Sequence, residues 1–269
     1  MPEPSLDDFA RHAAHIARAA GAILRDRFGQ PHEVYYKGPL DMVTEADRAA
    51  EALISARVRE VFPAHDLLGE EGSRGASCAS PYRWVVDPLD GTTNFTHGLP
   101  IFAVSIGLEK DGEPIVGVVY DPMRDEMFVA RRGGGATLNG EPIRVASTPS
   151  LIGSLLVTGF SYNLEIRAWQ AETWRDLLTR VQAIRQLGSS ALNLCYVAAG
   201  RLDGYWEFDI SPWDVAAGAL IALEAGAAVT NLGGGPFRSD ERQILASNGA
   251  IHEELLEVLA RHPYEIRPD

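Results

Sequence analysis

Tyr82-Arg83-Trp84-Val85-Val86-Asp87-Pro88-Leu89-Asp90-Gly91-Thr92-Thr93-Asn94-Phe95 reads as a buried strand that runs into a turn and then into the start of a helix. Trp84, Val85 and Val86 form a short apolar run of β-favouring residues. Pro88 has no N–H to give to a ladder, which places Asp87 at the strand's C-terminal end. Asp90 follows closely. The two carboxylates bracket a proline-fixed backbone and can aim their oxygens, with the Leu89 carbonyl between them, at one hard cation. Gly91, Thr92 and Thr93 then bring a flexible residue, two hydroxyls and the unpaired N–H groups of a helix start, which suit a phosphate oxyanion. The plainer reading is that Asp-Pro and Asp-Gly are ordinary turn dipeptides and that an acid before a helix is a cap. Acids elsewhere in the chain, at comparable positions, shift the balance toward a site.

Upstream, Phe9, Ala13, Ile16, Ala20 and Ile23 predict a helix from Leu6 to about Phe28, ended by Gly29 and Pro31. His12 and His15 share that helix at a zinc-binding spacing but lack a third ligand, so they read as surface or core residues. Val34 to Lys37 is a short extended piece. Thr44 and Asp47 have the spacing of a capping box opening a second helix that runs to Phe62. The stretch from His65 to Gly72 reads as a brief strand closed by Glu70 and Glu71.

Downstream, strands at Phe102–Leu108, Ile115–Tyr120 and Glu126–Ala130 with turns between them predict an antiparallel meander. Gly133-Gly134-Gly135 leads into another hairpin and not a helix, which excludes a phosphate loop, and Gly233 to Pro236 fails the same test. From Leu155 onward strands and helices alternate: strands at 155–158, 184–187, 204–208, 227–229 and 244–246, helices at 166–181, 189–199, 212–224 and 252–260. Ser211, Pro212 and Asp214 form a helix N-terminus, which is the structural explanation of Asp214. Such interleaving implies layered α/β packing.

The 269 residues, 46% of them hydrophobic, suffice for one large domain or two abutting halves, and no linker is visible. We read a single domain over 1–269, with an N-terminal α+β half to about residue 148 and a C-terminal α/β half from about 149. The longest apolar stretch, Val215 to Leu223, is too short for a bilayer, so no membrane association is expected. Glu3, Asp7 and Asp8 do not make a secretory leader, and two cysteines, Cys78 and Cys195, give neither a disulfide framework nor a metal-ligand spacing, so a cytoplasmic location is expected. A net charge of −13 argues against general nucleic-acid binding. It also repels a phosphorylated substrate, so a site for one must be reversed in sign locally, as bound cations would do.

These motifs together resemble the inositol monophosphatase family, within the metal-dependent, lithium-sensitive sugar-phosphate phosphatases. The likeness rests on Gly69-Glu70-Glu71, on Trp84 to Phe95, and on Ser211-Pro212-Trp213-Asp214-Val215-Ala216-Ala217-Gly218, with Lys37, Asp41, Val43, Thr44 and Asp47 similar to the family's N-terminal signature. It implies a five-layer αβαβα sandwich of the inositol monophosphatase and fructose-1,6-bisphosphatase type, a homodimer, and Mg2+ in two or three copies per site. Mn2+ would substitute for it, while Ca2+ and Li+ would inhibit.

Position by position, the resemblance makes Glu70, Asp87, the Leu89 carbonyl, Asp90 and Asp214 the metal ligands. Thr92, held by Asp47, joins Glu70 in orienting the attacking water. Asp90 and the backbone at Gly91, Thr92 and Thr93 belong to the substrate side with the phosphate, and Ser190, Ala191 and Glu207 meet the hydroxyls of the leaving group, with Ser161 or Tyr162 as further contacts. Charge counting agrees with it: carboxylates at about 4 Å repel by roughly 4 kcal/mol per pair at an effective dielectric near 20, and divalent cations reverse that sign. Oxygen-only ligands select Mg2+, Mn2+ or Ca2+ over zinc. The expected reaction is in-line hydrolysis of inositol monophosphate, a phosphorylated polyol, by a metal-activated water. The alternatives on the same scaffold are histidinol phosphate, fructose-1,6-bisphosphate or a nucleotide 3′-phosphate as substrate. An alternative of another class is a regulatory protein associated with RNA polymerase or the ribosome.

Overall fold

The computed structural model describes residues 4–30, 33–38, 40, 42–74 and 80–263; Asp41 and Cys78 lie outside them. Helix α1 (Leu6–Arg27) starts from a Ser5/Asp8 capping box and buries Phe9, Ala13, Ile16, Ala20 and Leu24 as one stripe. Strands β1 (Val34–Tyr36) and β2 (Met42–Thr44) pair antiparallel. The second of them is not predicted from sequence, because three residues are too few to show an alternation. Helix α2 (Glu45–Val61) opens from the Thr44/Asp47 capping box, as its spacing predicts.

A seven-stranded sheet follows in chain order: β3 (Asp66–Gly69), β4 (Tyr82–Asp90), β5 (Ala103–Lys110), β6 (Glu113–Asp121), β7 (Glu126–Arg131), β8 (Gly135–Leu138) and β9 (Glu141–Pro142). Only β3 and β4 pair parallel; the rest is the predicted meander. Strand β4 departs from expectation, since it does not stop at Asp87. Pro88 breaks the ladder locally, the register shifts between Asp87 and Asp90, and Asp90 pairs again with Ala103.

The second sheet holds β10 (Leu155–Thr158), β11 (Ala183–Arg185), β12 (Gly204–Phe208), β13 (Ala228–Thr230) and β14 (Gln243–Ser247) in the order β11-β10-β12-β14-β13. Helices α3 (Thr92–Thr96), α4 (Leu164–Leu178), α5 (Ser190–Ala198), α6 (Pro212–Glu224) and α7 (His252–Leu259) complete the set. Helix α4 begins and ends earlier than its apolar pattern predicts, because Asn163 caps it by accepting from the backbone N–H groups of Glu165 and Ile166.

Strand periodicity builds the layers. In the first sheet Trp84, Val86, Ile106, Val118 and Tyr120 face α1 and α2, while Ala103, Val119, Phe128 and Ala130 face a middle layer of α5 and α6. In the second sheet Tyr205, Ile244 and Ala246 face that same layer, and Trp206, Phe208 and Leu245 turn outward to α4 and α7. The architecture is therefore a five-layer αβαβα sandwich. Helix α6 is apolar nearly all round because it is covered by both sheets. A Cβ added to Gly117 on β6 would lie 2.4 Å from the Ala217 carbonyl oxygen, so only glycine admits the helix this close. Among the described residues no helix is long and apolar enough to cross a membrane.

Candidate active site

Strand ends and helix starts from both halves open onto one cavity of about 340 Å3. Asp87, Leu89 and Asp90 come from the end of β4, Glu70 from the turn after β3, Gly91, Thr92 and Thr93 from the start of α3, Ser190 from the start of α5, Glu207 from β12 and Asp214 from the first turn of α6. Ser161 and Tyr162 also line it. Two candidates do not. Asp47 is fully buried at the start of α2, where it caps the Thr44 N–H at 2.8 Å and receives the Thr92 hydroxyl at 3.0 Å. Capping and support of Thr92 are thus served by one carboxylate. Ala191 is also fully buried, and its contribution is the backbone N–H it donates to Asp90 at 2.7 Å.

Asp90 is pinned to the start of α5. The Ser189 hydroxyl donates to it at 2.5 Å, the Ala191 N–H at 2.7 Å and the Ser190 N–H at 3.2 Å. The family likeness places Gly188-Ser189-Ser190-Ala191 on the substrate side, but nothing in the sequence pairs Ser189 with Asp90. The two lie 99 positions apart, and the only local signal is a serine before a helix. Asp87 accepts from the Leu89 N–H at 2.9 Å, and Asp214 from the Ser211 N–H at 2.7 Å, so the capping explanation of Asp214 holds alongside its place in the cavity. Lys37 reaches Glu70 at 3.0 Å and Glu71 at 2.5 Å. Glu207 accepts from the Tyr205 hydroxyl at 2.5 Å and the Ser190 hydroxyl at 3.0 Å. Gly159 makes room for it: a Cβ there would lie 2.0 Å from Glu207 Oε1.

Burial and mutual repulsion dominate the electrostatics. Asp87 is pushed well above the ordinary carboxylate range by burial and then by the charges of Glu70, Asp90 and Asp214. Asp214 is pushed up likewise, by burial and then by Asp90 and Glu70. Burial raises Asp90 to about 6 against the pull of the Ser189, Ala191 and Ser190 donors, and raises Glu70 to about 7 against Lys37. Glu207 is raised by burial to about 7. Lys37 is held above its ordinary value because Glu70 and Glu71 outweigh its own burial.

Among the described residues no three acidic, histidine or cysteine side chains stand in position to hold a metal ion as they are. Each floor carboxylate is turned toward its own local donor. The donor chemistry nevertheless fits a hard divalent cation. It consists of oxygen atoms alone, several of them on acids that repel one another, and no described protein cation stands against Asp87, Asp90 or Asp214.

Residues 5–264 match the model of the inositol monophosphatase family. The chain belongs to that family. An inositol-1-monophosphatase of Synechocystis is 45% identical over 93% of this chain and 88% of its own length. The Nus factor SuhB of Pseudomonas aeruginosa is 42% identical over 93% of this chain and 95% of its own. The solved inositol monophosphatase of Anabaena superposes with a TM-score of 0.86 at 42% identity, covering 96% of this chain and 97% of the other. As an inositol monophosphatase family member with this fold, the protein is a phosphatase.

Proposed function

We propose that the protein hydrolyses inositol monophosphate to inositol and phosphate in the presence of Mg2+, and that the acid-lined cavity is where the ester is cleaved. The observation that carries this reading is the cavity floor, where Asp87, Asp90 and Asp214 are drawn together with no described protein cation to answer them. Glu70, Asp87, the Leu89 carbonyl, Asp90 and Asp214 would hold the ions. When bound, Mg2+ supplies a Lewis acid that activates water and offsets charge on the phosphate and the leaving oxygen.

The chain's own groups supply orientation. The Thr92 hydroxyl lies 3.0 Å from both Asp47 Oδ1 and the Leu89 oxygen. It has one proton, and donating that proton to Asp47 leaves its lone pairs to accept from the attacking water. Glu70, on the neighbouring wall, aims the same water. The N–H groups at Gly91, Thr92 and Thr93 receive phosphate oxygens, and Glu207, fixed by Tyr205, accepts from ring hydroxyls with Ser190 beside it. Cavity volume agrees with a substrate of this size, since it lies at the small end of ligand pockets. Homodimer formation, inhibition by Li+ and Ca2+, and a cytoplasmic location belong to the same proposal and rest on the family likeness.

The decisive assay is phosphate release from myo-inositol 1-phosphate, with histidinol phosphate and adenosine 3′,5′-bisphosphate as competitors. We expect Mg2+-dependent turnover that Asp87→Asn and Asp90→Asn abolish; near-normal turnover in either variant rules the assignment out. The likeness to a Nus factor supports a second, regulatory role. A chain that bound Mg2+ yet cleaved no phosphomonoester would favour that role over the enzymatic one.

A further inference from the structure

Six acids line the cavity, and Arg167 is the single basic residue among the described ones that does so. It sits in the first turns of α4, and its Nε donates to the Ser161 carbonyl at 2.9 Å, which fixes the direction of the guanidinium. Among the described residues it has no carboxylate partner, because the acids on its side of the cavity are already answered. Asp209 accepts from the Arg242 guanidinium and from the Ser161 hydroxyl. Glu207 accepts from Tyr205 and Ser190. A half-buried arginine that lines a ligand cavity, with its Nε held by a backbone carbonyl, is in a chain of net charge −13 an anion receptor by its chemistry. The scissile phosphate is provided for elsewhere, at the acid floor and the start of α3. Arg167 is therefore spare for a different group on the same substrate.

We propose that Arg167 is a specificity-determining residue that receives a second anionic group, a phosphate or a carboxylate, on the alcohol from which phosphate is cleaved. This rests on the phosphomonoesterase reading and extends it from neutral polyols to phosphomonoesters that carry a further anion. The Glu207–Tyr205–Ser190 group reads the hydroxyls between the two ends, so one cavity takes both kinds of leaving group. No sequence pattern marks this role, because Arg167 lies in an ordinary helix turn far from every motif.

The test uses matched pairs with the full chain in Mg2+: fructose 1-phosphate against fructose 1,6-bisphosphate for a second phosphate, and glycerol 2-phosphate against 2-phosphoglycerate for a carboxylate. The readout is the ratio of kcat/KM within each pair. In Arg167→Gln, which keeps an N–H donor for Ser161 but loses the charge, the ratio should fall about tenfold or more, through KM, as expected for the loss of a hydrogen bond to a charged group. Arg167→Lys should retain part of it, and added salt should lower the wild-type ratio. Arg167→Met, with thermal unfolding as a check, serves if the Gln variant does not fold. The pair that responds identifies the anion. An unchanged ratio in both pairs overturns the inference, as does wild-type enzyme that cleaves the neutral member of each pair and not the anionic one. If myo-inositol 1-phosphate and all four esters go uncleaved, the phosphomonoesterase reading fails and the inference falls with it.

Discussion

Two sets of buried acids in this protein have been treated in opposite ways. Glu109 on β5 is fully buried and satisfied: the Arg83 guanidinium donates to it at 2.6 Å and the Ser239 hydroxyl at 2.8 Å. Asp121 at the end of β6 is equally buried, with Arg124 at 2.8 Å and the backbone N–H groups of Met123 and Arg124 closing around it. Asp87 and Asp90 are scarcely more exposed, and Asp214 stands half-buried at the start of a well-packed helix, yet the charges acting on Asp87 and Asp214 are those of other acids, Glu70 and Asp90 foremost. The floor acids accept hydrogen bonds from neutral donors only, where Glu109 and Asp121 each face an arginine. On the proposed reading, the difference separates a carboxylate that holds the protein together from one that takes an ion.

The largest expected effect is on catalysis. Asp214→Asn should cut phosphate release by about three orders of magnitude or more. The same substitution removes one charge from a repelling group, so the metal-free variant should unfold at a temperature no lower than the wild type. A variant both inactive and strongly destabilised without metal would erase the distinction between the two sets. Next, Mg2+ should stabilise the wild type by roughly 2.7 kcal/mol at a concentration a hundred times its Kd, seen as a higher unfolding temperature, and the rise should vanish in Asp87→Asn. An equal rise in both would mean that the ion binds elsewhere.

Glu109→Ala is the counterpart. It should lower stability by about 1–3 kcal/mol, since Arg83 keeps partial access to water, while leaving activity per folded molecule in place. Denaturant unfolding and an assay on the same preparation check both parts. The smallest effect concerns His252, whose ring nitrogens lie 3.0 Å from the Thr230 hydroxyl and 2.9 Å from the Ser247 hydroxyl. Burial lowers its pKa below the ordinary 6.5. The folded chain therefore binds that proton less readily than the unfolded one, so this contribution to stability is present above the ordinary value and is lost as pH falls below it. His252→Asn should flatten the slope of unfolding temperature against pH in that window; an unchanged slope would assign it to other groups.

The local half of this site is legible in the sequence. Pro88 between two acids, Thr44 three before Asp47, and Ser211-Pro212 ahead of Asp214 each mark a strand end or a helix start, and the cavity is made of such ends. In Thr44/Asp47 and Ser211/Asp214 one carboxylate is both the cap and the candidate site residue, so the bland explanation and the functional one do not compete. What stays hidden is long-range. Ser189 meets Asp90 across 99 positions, Lys37 meets Glu70 across 33, and Arg167, on α4 of the second half, lines a cavity whose acid floor comes largely from the first. Periodicity reports which face of an element is dry. It carries no information about which dry faces meet.

The placement of α6 between two sheets has a consequence for dissection of the molecule. A chain cut in the connection at 143–154 would leave one fragment with the bare inner face of the first sheet and another with α6 stripped on that side. Neither piece can shield its oily surface alone, so the two should either find each other and restore hydrolysis or precipitate separately.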